Sequence, residues 1–266
     1  MIRIENLKPY FAPYLWENQA HQKYILKEYI QLLILDYLTT TGFVKRIVFI
    51  GGTNLRLVKG IDRFSEDLDF DCKNLSNSEF VSMTDGIVEF LKRMGYQVET
   101  RDKTNDKLKA YRRNIYFPEL LFELGLSGYK QERFLIKIES QDQQTAYTSQ
   151  MATIKGCGLF FMFPVPADDV LCAMKVAALL SRQKGRDFYD VMFLLPQTAP
   201  NFDFLEQQCG INNVYDLKKA LLEMVSAIDL KHKSKDFEHL VFHPSSIKKV
   251  TLFKEFIEEW EMVRTN

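Results

Sequence analysis

The sequence predicts an α+β fold in two parts: a mixed sheet with flanking helices over residues 1–165, then a helical half over residues 166–266. Three observations carry this. Short apolar or alternating segments interleave with helix-like ones up to Phe163. Pro164 and Pro166 then interrupt the chain. From Ala167 onward apolar residues recur mainly at spacings of three and four, the period of helices packed on one another.

Taken in order, residues 18–40 read as a long helix, with Tyr24, Ile25, Tyr29, Leu32, Leu33, Leu35 and Leu38 at helical spacing and Gly42 beyond its end. Residues 46–50 (RIVFI) form a short, buried type of strand, broken by Gly51-Gly52, and residues 53–59 a short helix before Gly60. Residues 67–73 (DLDFDCK) alternate acidic and apolar residues, the period-two pattern of a strand. Residues 76–94 read as a helix with Ser76 as N-cap. Strand-like runs follow at 97–101, 109–117, 134–140 and 159–163. The second half reads as helices over 168–182, 186–195, 204–209, 216–228 and 246–263. The last of these carries an apolar stripe of Phe253, Phe256, Ile257 and Trp260.

Composition narrows the function. Thirty-five Lys and Arg balance thirty-five Asp and Glu, so a global basic field for coating nucleic acid is not expected. Cys72, Cys157, Cys172 and Cys209 include no C-x-x-C pair, which argues against a zinc ribbon or a disulfide framework and fits a reducing cytoplasm. No secretory signal and no membrane span is expected.

The most informative stretch is residues 50–70, IGGTNLRLVKGIDRFSEDLDF. Along a strand Asp67 and Asp69 share one face, while Leu68 and Phe70 point the other way into a core. Two adjacent carboxylates repel, and a hard divalent cation such as Mg²⁺ or Mn²⁺ relieves that repulsion. A solvated strand face would account for the same pattern without a ligand. The glycines upstream sharpen the first reading. Gly51 and Gly52 follow a strand and precede a helix, a place where backbone amides can approach a phosphate, with the Thr53 hydroxyl as a further donor. Glu139, in FLIKIES, joins the metal site if its strand lies beside the D-x-D strand. It could equally be a surface residue paired with Lys137.

On the helix over residues 168–182, Leu171, Met174 and Ala178 form an apolar stripe, with Lys175 and Arg182 inside or beside it. A lysine there needs an anion, a phosphate or an Asp, or must snorkel to water. Asp187 and Asp190 share the face of a following helix. They could cap it, act as a base, or hold Lys175 or Arg186. Basic residues also gather at Arg56, Lys59 and Arg63, at Arg182, Lys184 and Arg186, and at Arg101, Lys103, Lys107, Lys109, Arg112 and Arg113. If these converge they form a local phosphate-attracting groove. His239 and His243, four apart, would share a helix face but lack a third metal ligand.

The motifs G-G-T (51–53), R-F-S-E-D-L-D-F (63–70), K-V-A-A (175–178) and D-F-Y-D (187–190) stand in an order that resembles the AbiEii-type toxin family, polymerase-beta-type nucleotidyltransferases of abortive-infection and type IV toxin–antitoxin systems. Thr53 stands where many nucleotidyltransferases carry Ser. The resemblance implies a nucleotidyltransferase-like N-terminal domain and transfer of a nucleotide from an NTP to an RNA, such as a tRNA end, or to a protein hydroxyl. It also implies growth arrest restrained by a cognate antitoxin. It makes Asp67, Asp69, Lys175, Asp187 and Asp190 catalytic and Asp67 and Asp69 metal ligands, a set that Glu139 joins if its strand lies beside theirs. Gly51, Gly52, Thr53, Arg63, Ser65, Lys175 and Arg182 become nucleotide-binding residues. A non-catalytic nucleotide-binding protein on the same scaffold and a small-molecule nucleotidyltransferase stay open as alternatives.

Overall fold

A computed structural model describes residues 2–100 and 111–262. The chain divides into two compact units. The first comprises Met1–Gly60, Phe64–Gln143 and Met151–Val165; the second comprises Ile61–Arg63, Gln144–Gln150 and Pro166–Asn266.

In the first unit a 3-10 turn (Ile4–Tyr10) and helix α1 (Pro13–Glu17) lead into α2 (Gln19–Thr39). Helix α2 buries residues on nearly every side, including Ile25, Leu26, Glu28, Gln31, Leu32 and Leu35. A helix buried on nearly every side is a core element rather than a surface one, so the single stripe expected from the sequence understates its burial. Strand β1 (Ile47–Ile50) runs directly into α3 (Gly51–Leu57), then come β2 (Asp67–Cys72) and α4 (Asn77–Arg93). The glycines therefore open a helix instead of forming a separate turn. Ser76 caps α4 as expected, in a reciprocal capping box with Glu79.

Strands β3 (Glu99–Thr100), β4 (Tyr111–Tyr116) and β5 (Leu135–Gln141) complete a five-stranded sheet of order β1-β2-β5-β4-β3, with a helical turn α5 (Leu120–Glu123) between β4 and β5. Only the β2–β5 pair is parallel. One face is the core: Phe49, Phe70 and Phe163 stand with ring centroids 6.0 Å apart. The other face carries the carboxylates.

A two-stranded hairpin joins β6 (Ser149–Gly156) to β7 (Leu159–Pro166). Its two-residue loop, Cys157-Gly158, has both φ values positive, at 50° and 82°, as a tight hairpin turn requires. Strand β6 buries only Ile154 among its side chains, which is why no apolar alternation announces it.

In the second unit the helices are α6 (Asp168–Arg182), α7 (Gly185–Leu194), α8 (Phe202–Cys209), α9 (Val214–Ser226), α10 (Leu230–Lys235) and α11 (Phe253–Glu259). Their core includes Leu171, Val176, Phe188, Leu205, Leu217 and Phe253, with Phe188 edge-on to Phe253 at 4.9 Å. The helix expected over residues 246–263 is instead a 3-10 segment (Pro244–Leu252) followed by α11. His239 lies in a 3-10 turn (Glu238–Leu240) and His243 is the extended residue before the next one, so they do not share a helix face.

Candidate active site

The parallel register of β2 and β5 assembles the first cluster. Asp67 pairs in register with Lys137, and Asp69 with Glu139. Paired residues in adjacent strands project to the same face, so two aspartates, a glutamate and a lysine stand together. The strand adjacency on which a role for Glu139 depends is present. Its carboxylate, however, accepts a hydrogen bond from Arg112 Nε on the neighbouring β4 and lies 3.6 Å from Lys137 Nζ. Lys137 is the closer partner of Asp67, with Nζ 2.8 Å from Oδ2. Burial alone would lower the Lys137 ammonium, but the bond to Asp67 and the charges of Asp67 and Glu139 raise it above the usual range. Lys27, from α2, adds a second ammonium 3.8 Å from Glu66. Its own pKa is lowered by burial, opposed by Glu66 and Asp67.

Gly51 closes this cluster. Its φ is +84°, and a Cβ built on it would lie 2.1 Å from Asp69 Oδ2. Glycine is required here both by the backbone conformation and by the carboxylate beside it. Thr53 is fully buried, and its hydroxyl donates to the Asp67 carbonyl oxygen. It therefore braces the D-x-D strand instead of presenting a donor to a phosphate. Ser65 is buried too, and its carbonyl accepts from Gln31 Nε2 at 3.3 Å.

The donor set fits a hard divalent cation. Asp67 and Asp69 are partly buried on one rigid strand, and an ammonium already occupies cation-binding distance from Asp67. Among the described residues no group of three His, Cys, Asp or Glu forms a ready-made metal cluster. A carboxylate pair completed by substrate phosphates is the usual arrangement for Mg²⁺.

The second cluster lies within the second unit; Arg63, Lys175, Asp187 and Asp190 are buried, and Arg182 is exposed. Asp190 accepts from Lys175 Nζ at 3.0 Å, and from Arg63 Nε and Nη2 at 2.8 Å each. Burial would raise the Asp190 carboxyl, but the Arg63 and Lys175 charges hold it below the usual range. Burial lowers Lys175, opposed by Asp190. Asp187 accepts a two-toothed bond from Arg182, at 2.7 and 3.0 Å, and caps α7 by accepting from the Lys184 amide at 3.1 Å. Of the roles open to these acids, helix capping falls to Asp187 and holding Lys175 falls to Asp190. Arg63, expected among the nucleotide-binding residues, is 1% exposed and forked onto Asp190, away from any solvent-borne ligand.

Sequence reading did not single out Asp62, which accepts from Tyr189 Oη at 2.5 Å and lies 3.4 Å from Ser246 Oγ. Nor did it single out Lys137 as the partner of Asp67; only the strand register reveals that. The expected basic groove is largely spoken for: Arg56 pairs with Glu28, Arg112 with Glu139, Arg113 with Asp85 and Arg182 with Asp187. Arg101, Lys103, Lys107 and Lys109 lie outside the described residues. No helix among the described residues is long and apolar enough to cross a membrane.

Comparison with known proteins agrees with this architecture. Over 98% of its length the chain superposes on 91% of MenT4, a nucleotidyltransferase toxin from Mycobacterium tuberculosis H37Rv, with a TM-score of 0.64 at 18% identity. It also superposes on JHP933 from Helicobacter pylori, with a TM-score of 0.52 at 20% identity, covering 89% of this chain and 92% of that one. At these identities the likeness is one of fold. No curated protein matches the sequence. The sequence pattern of the family described as "Nucleotidyl transferase AbiEii toxin, Type IV TA system" matches residues 33–242, a span that holds the diglycine, the D-x-D strand, Lys175 and both later aspartates. The chain therefore belongs to the AbiEii nucleotidyltransferase toxins of type IV toxin–antitoxin systems.

Proposed function

We propose that the protein transfers an NMP from an NTP to a hydroxyl of an RNA, such as a tRNA end, or of a protein, with Mg²⁺ or Mn²⁺ held by Asp67 and Asp69. The observation that carries this reading is the shared face of the two aspartates beside Gly51, where any side chain would displace Asp69. A divalent ion held by Asp67 and Asp69 would supply charge neutralisation for the triphosphate. Gly51 and Gly52 leave backbone open to a phosphate oxygen. Thr53 fixes the Asp67 backbone, so that the carboxylate is positioned before substrate arrives. The acceptor hydroxyl attacks the α-phosphorus in line and pyrophosphate leaves. Most of such catalysis is positioning and charge stabilisation.

Lys175 is proposed, from the family motif alone, as a catalytic cation. Asp190 and Arg63 are positioning residues that hold it, and Asp187 is a positioning residue that caps α7. Neither aspartate is proposed as a general base, because the oxygens of each are already taken by cationic or amide donors. By the same family reading a separately encoded antitoxin restrains the protein, and its cysteine usage fits a reducing cytoplasm. The test is a labelled-nucleotide panel with total RNA, tRNA and protein acceptors, with and without Mg²⁺, for the wild type, Asp67→Asn and Asp69→Asn. Metal-dependent labelling lost in both variants is expected. Labelling retained in both would remove the aspartate pair from the reaction.

A further inference from the structure

Strand register places a lysine where a cation site needs an empty face. Lys137 stands opposite Asp67, with Nζ 2.8 Å from its Oδ2 and 3.6 Å from Glu139 Oε1. Both side chains of the Lys137–Asp67 pair are largely shielded, at 26% and 19% exposure. Such a pair is screened less than a surface ion pair. Further charges act on the pair: Arg112 on β4 and Glu139 on β5 act on Lys137, and Lys27 on α2, 3.8 Å from Glu66, acts on both Asp67 and Lys137. An ammonium and a divalent ion cannot both sit on one carboxylate oxygen without strong repulsion. A triphosphate offers the ammonium another anion.

We propose that Lys137 is a built-in competitor for the cation at Asp67, which keeps divalent-ion binding weak until a nucleotide triphosphate draws the ammonium away. The inference rests on the aspartate pair being the metal site. Lys137 then couples the two ligands: the nucleotide tightens the metal, and by linkage the metal tightens the nucleotide by the same factor. A toxin built in this way does not hold a charged metal site ready in the absence of its nucleotide.

The experiment is a Mn²⁺ titration followed by electron paramagnetic resonance, with and without a non-hydrolysable NTP analogue. It uses the full chain as wild type, Lys137→Met, Lys137→Gln, Lys137→Arg and Asp67→Asn. Without nucleotide, Lys137→Met and Lys137→Gln should bind Mn²⁺ about three- to fivefold more tightly than wild type, the scale of one lost ion pair. Their further gain on adding the analogue should shrink correspondingly, and Lys137→Arg should stay near wild type. Affinity within twofold of wild type, or weaker, in both neutral variants overturns the proposal and leaves Lys137 as a brace for Asp67. Binding that survives Asp67→Asn unchanged overturns the metal-site reading itself, and this inference with it. Absence of Mn²⁺ binding to the wild type in both conditions does the same.

Discussion

Gly51 and Asp69 are packed so closely that a single added carbon on the glycine would stand 2.1 Å from the carboxylate Oδ2. The G-G-T and D-x-D motifs, read in the sequence as two separate signals, are thus one contact. The end of β1 turns into α3 through a positive-φ residue because the next strand over carries its carboxylate at that point.

Gly51→Ala should therefore act on catalysis more than on folding. Shifting Asp69 by about 1 Å predicts a loss on the order of 100-fold in transfer rate. The strained backbone and contact predict a stability loss of about 1–3 kcal/mol. Steady-state transfer assays alongside urea unfolding check both. A rate within threefold of wild type would mean that Asp69 can move without penalty.

Thr53→Val keeps the shape of the side chain and deletes the donor to the Asp67 carbonyl. It should cost about 1 kcal/mol of stability, while Thr53→Ser stays close to wild type. Had Thr53 served a phosphate instead, the valine variant would raise the KM for NTP with stability unchanged. Thermal unfolding and an NTP saturation series separate these outcomes.

Asp190→Asn should be among the most damaging substitutions in the chain. It removes the carboxylate that the buried Arg63 and Lys175 share, an effect of about 3–5 kcal/mol. The pH dependence follows from the sign of the shift. Asp190 titrates below its ordinary range when folded, so its contribution is complete above the unfolded carboxylate pKa of about 3.9. That contribution is lost as the pH falls through the lower, folded value. Urea unfolding as a function of pH should show this acid limb in the wild type and a flatter one in Asp190→Asn.

Asp187 makes a different prediction, because its side chain caps a helix. Asp187→Ala should lose about 1 kcal/mol or more, and Asp187→Asn, which keeps an acceptor for the Lys184 amide, should lose less. Equal losses in the two variants would show that the Arg182 pair dominates over the cap. Denaturant melts of both variants decide it.

Local chemistry was legible without coordinates. The D-x-D alternation places Asp67 and Asp69 on one face because strand side chains alternate, and Ser76 marks the start of its helix as N-cap. The helix expected over residues 168–182 spans the same residues as α6. Segments whose apolar residues do not alternate left no trace. Strand β6 is one, held by its turn and by pairing with β7.

The sequence by itself determined which residues are acidic, basic or small along each element, and so the face on which the paired carboxylates stand. Tertiary structure alone decided their partners. The parallel register of β2 against β5 chose Lys137 for Asp67, and burial chose Asp190 for both Arg63 and Lys175. Even Gly185, unremarkable in the sequence, is fixed by a neighbour: a Cβ there would lie 1.8 Å from the Lys233 carbonyl oxygen. The physical reason is that periodicity along a chain sets side-chain direction locally, whereas the partner of a charge is set by whichever segment, tens of residues away, packs against it and excludes water.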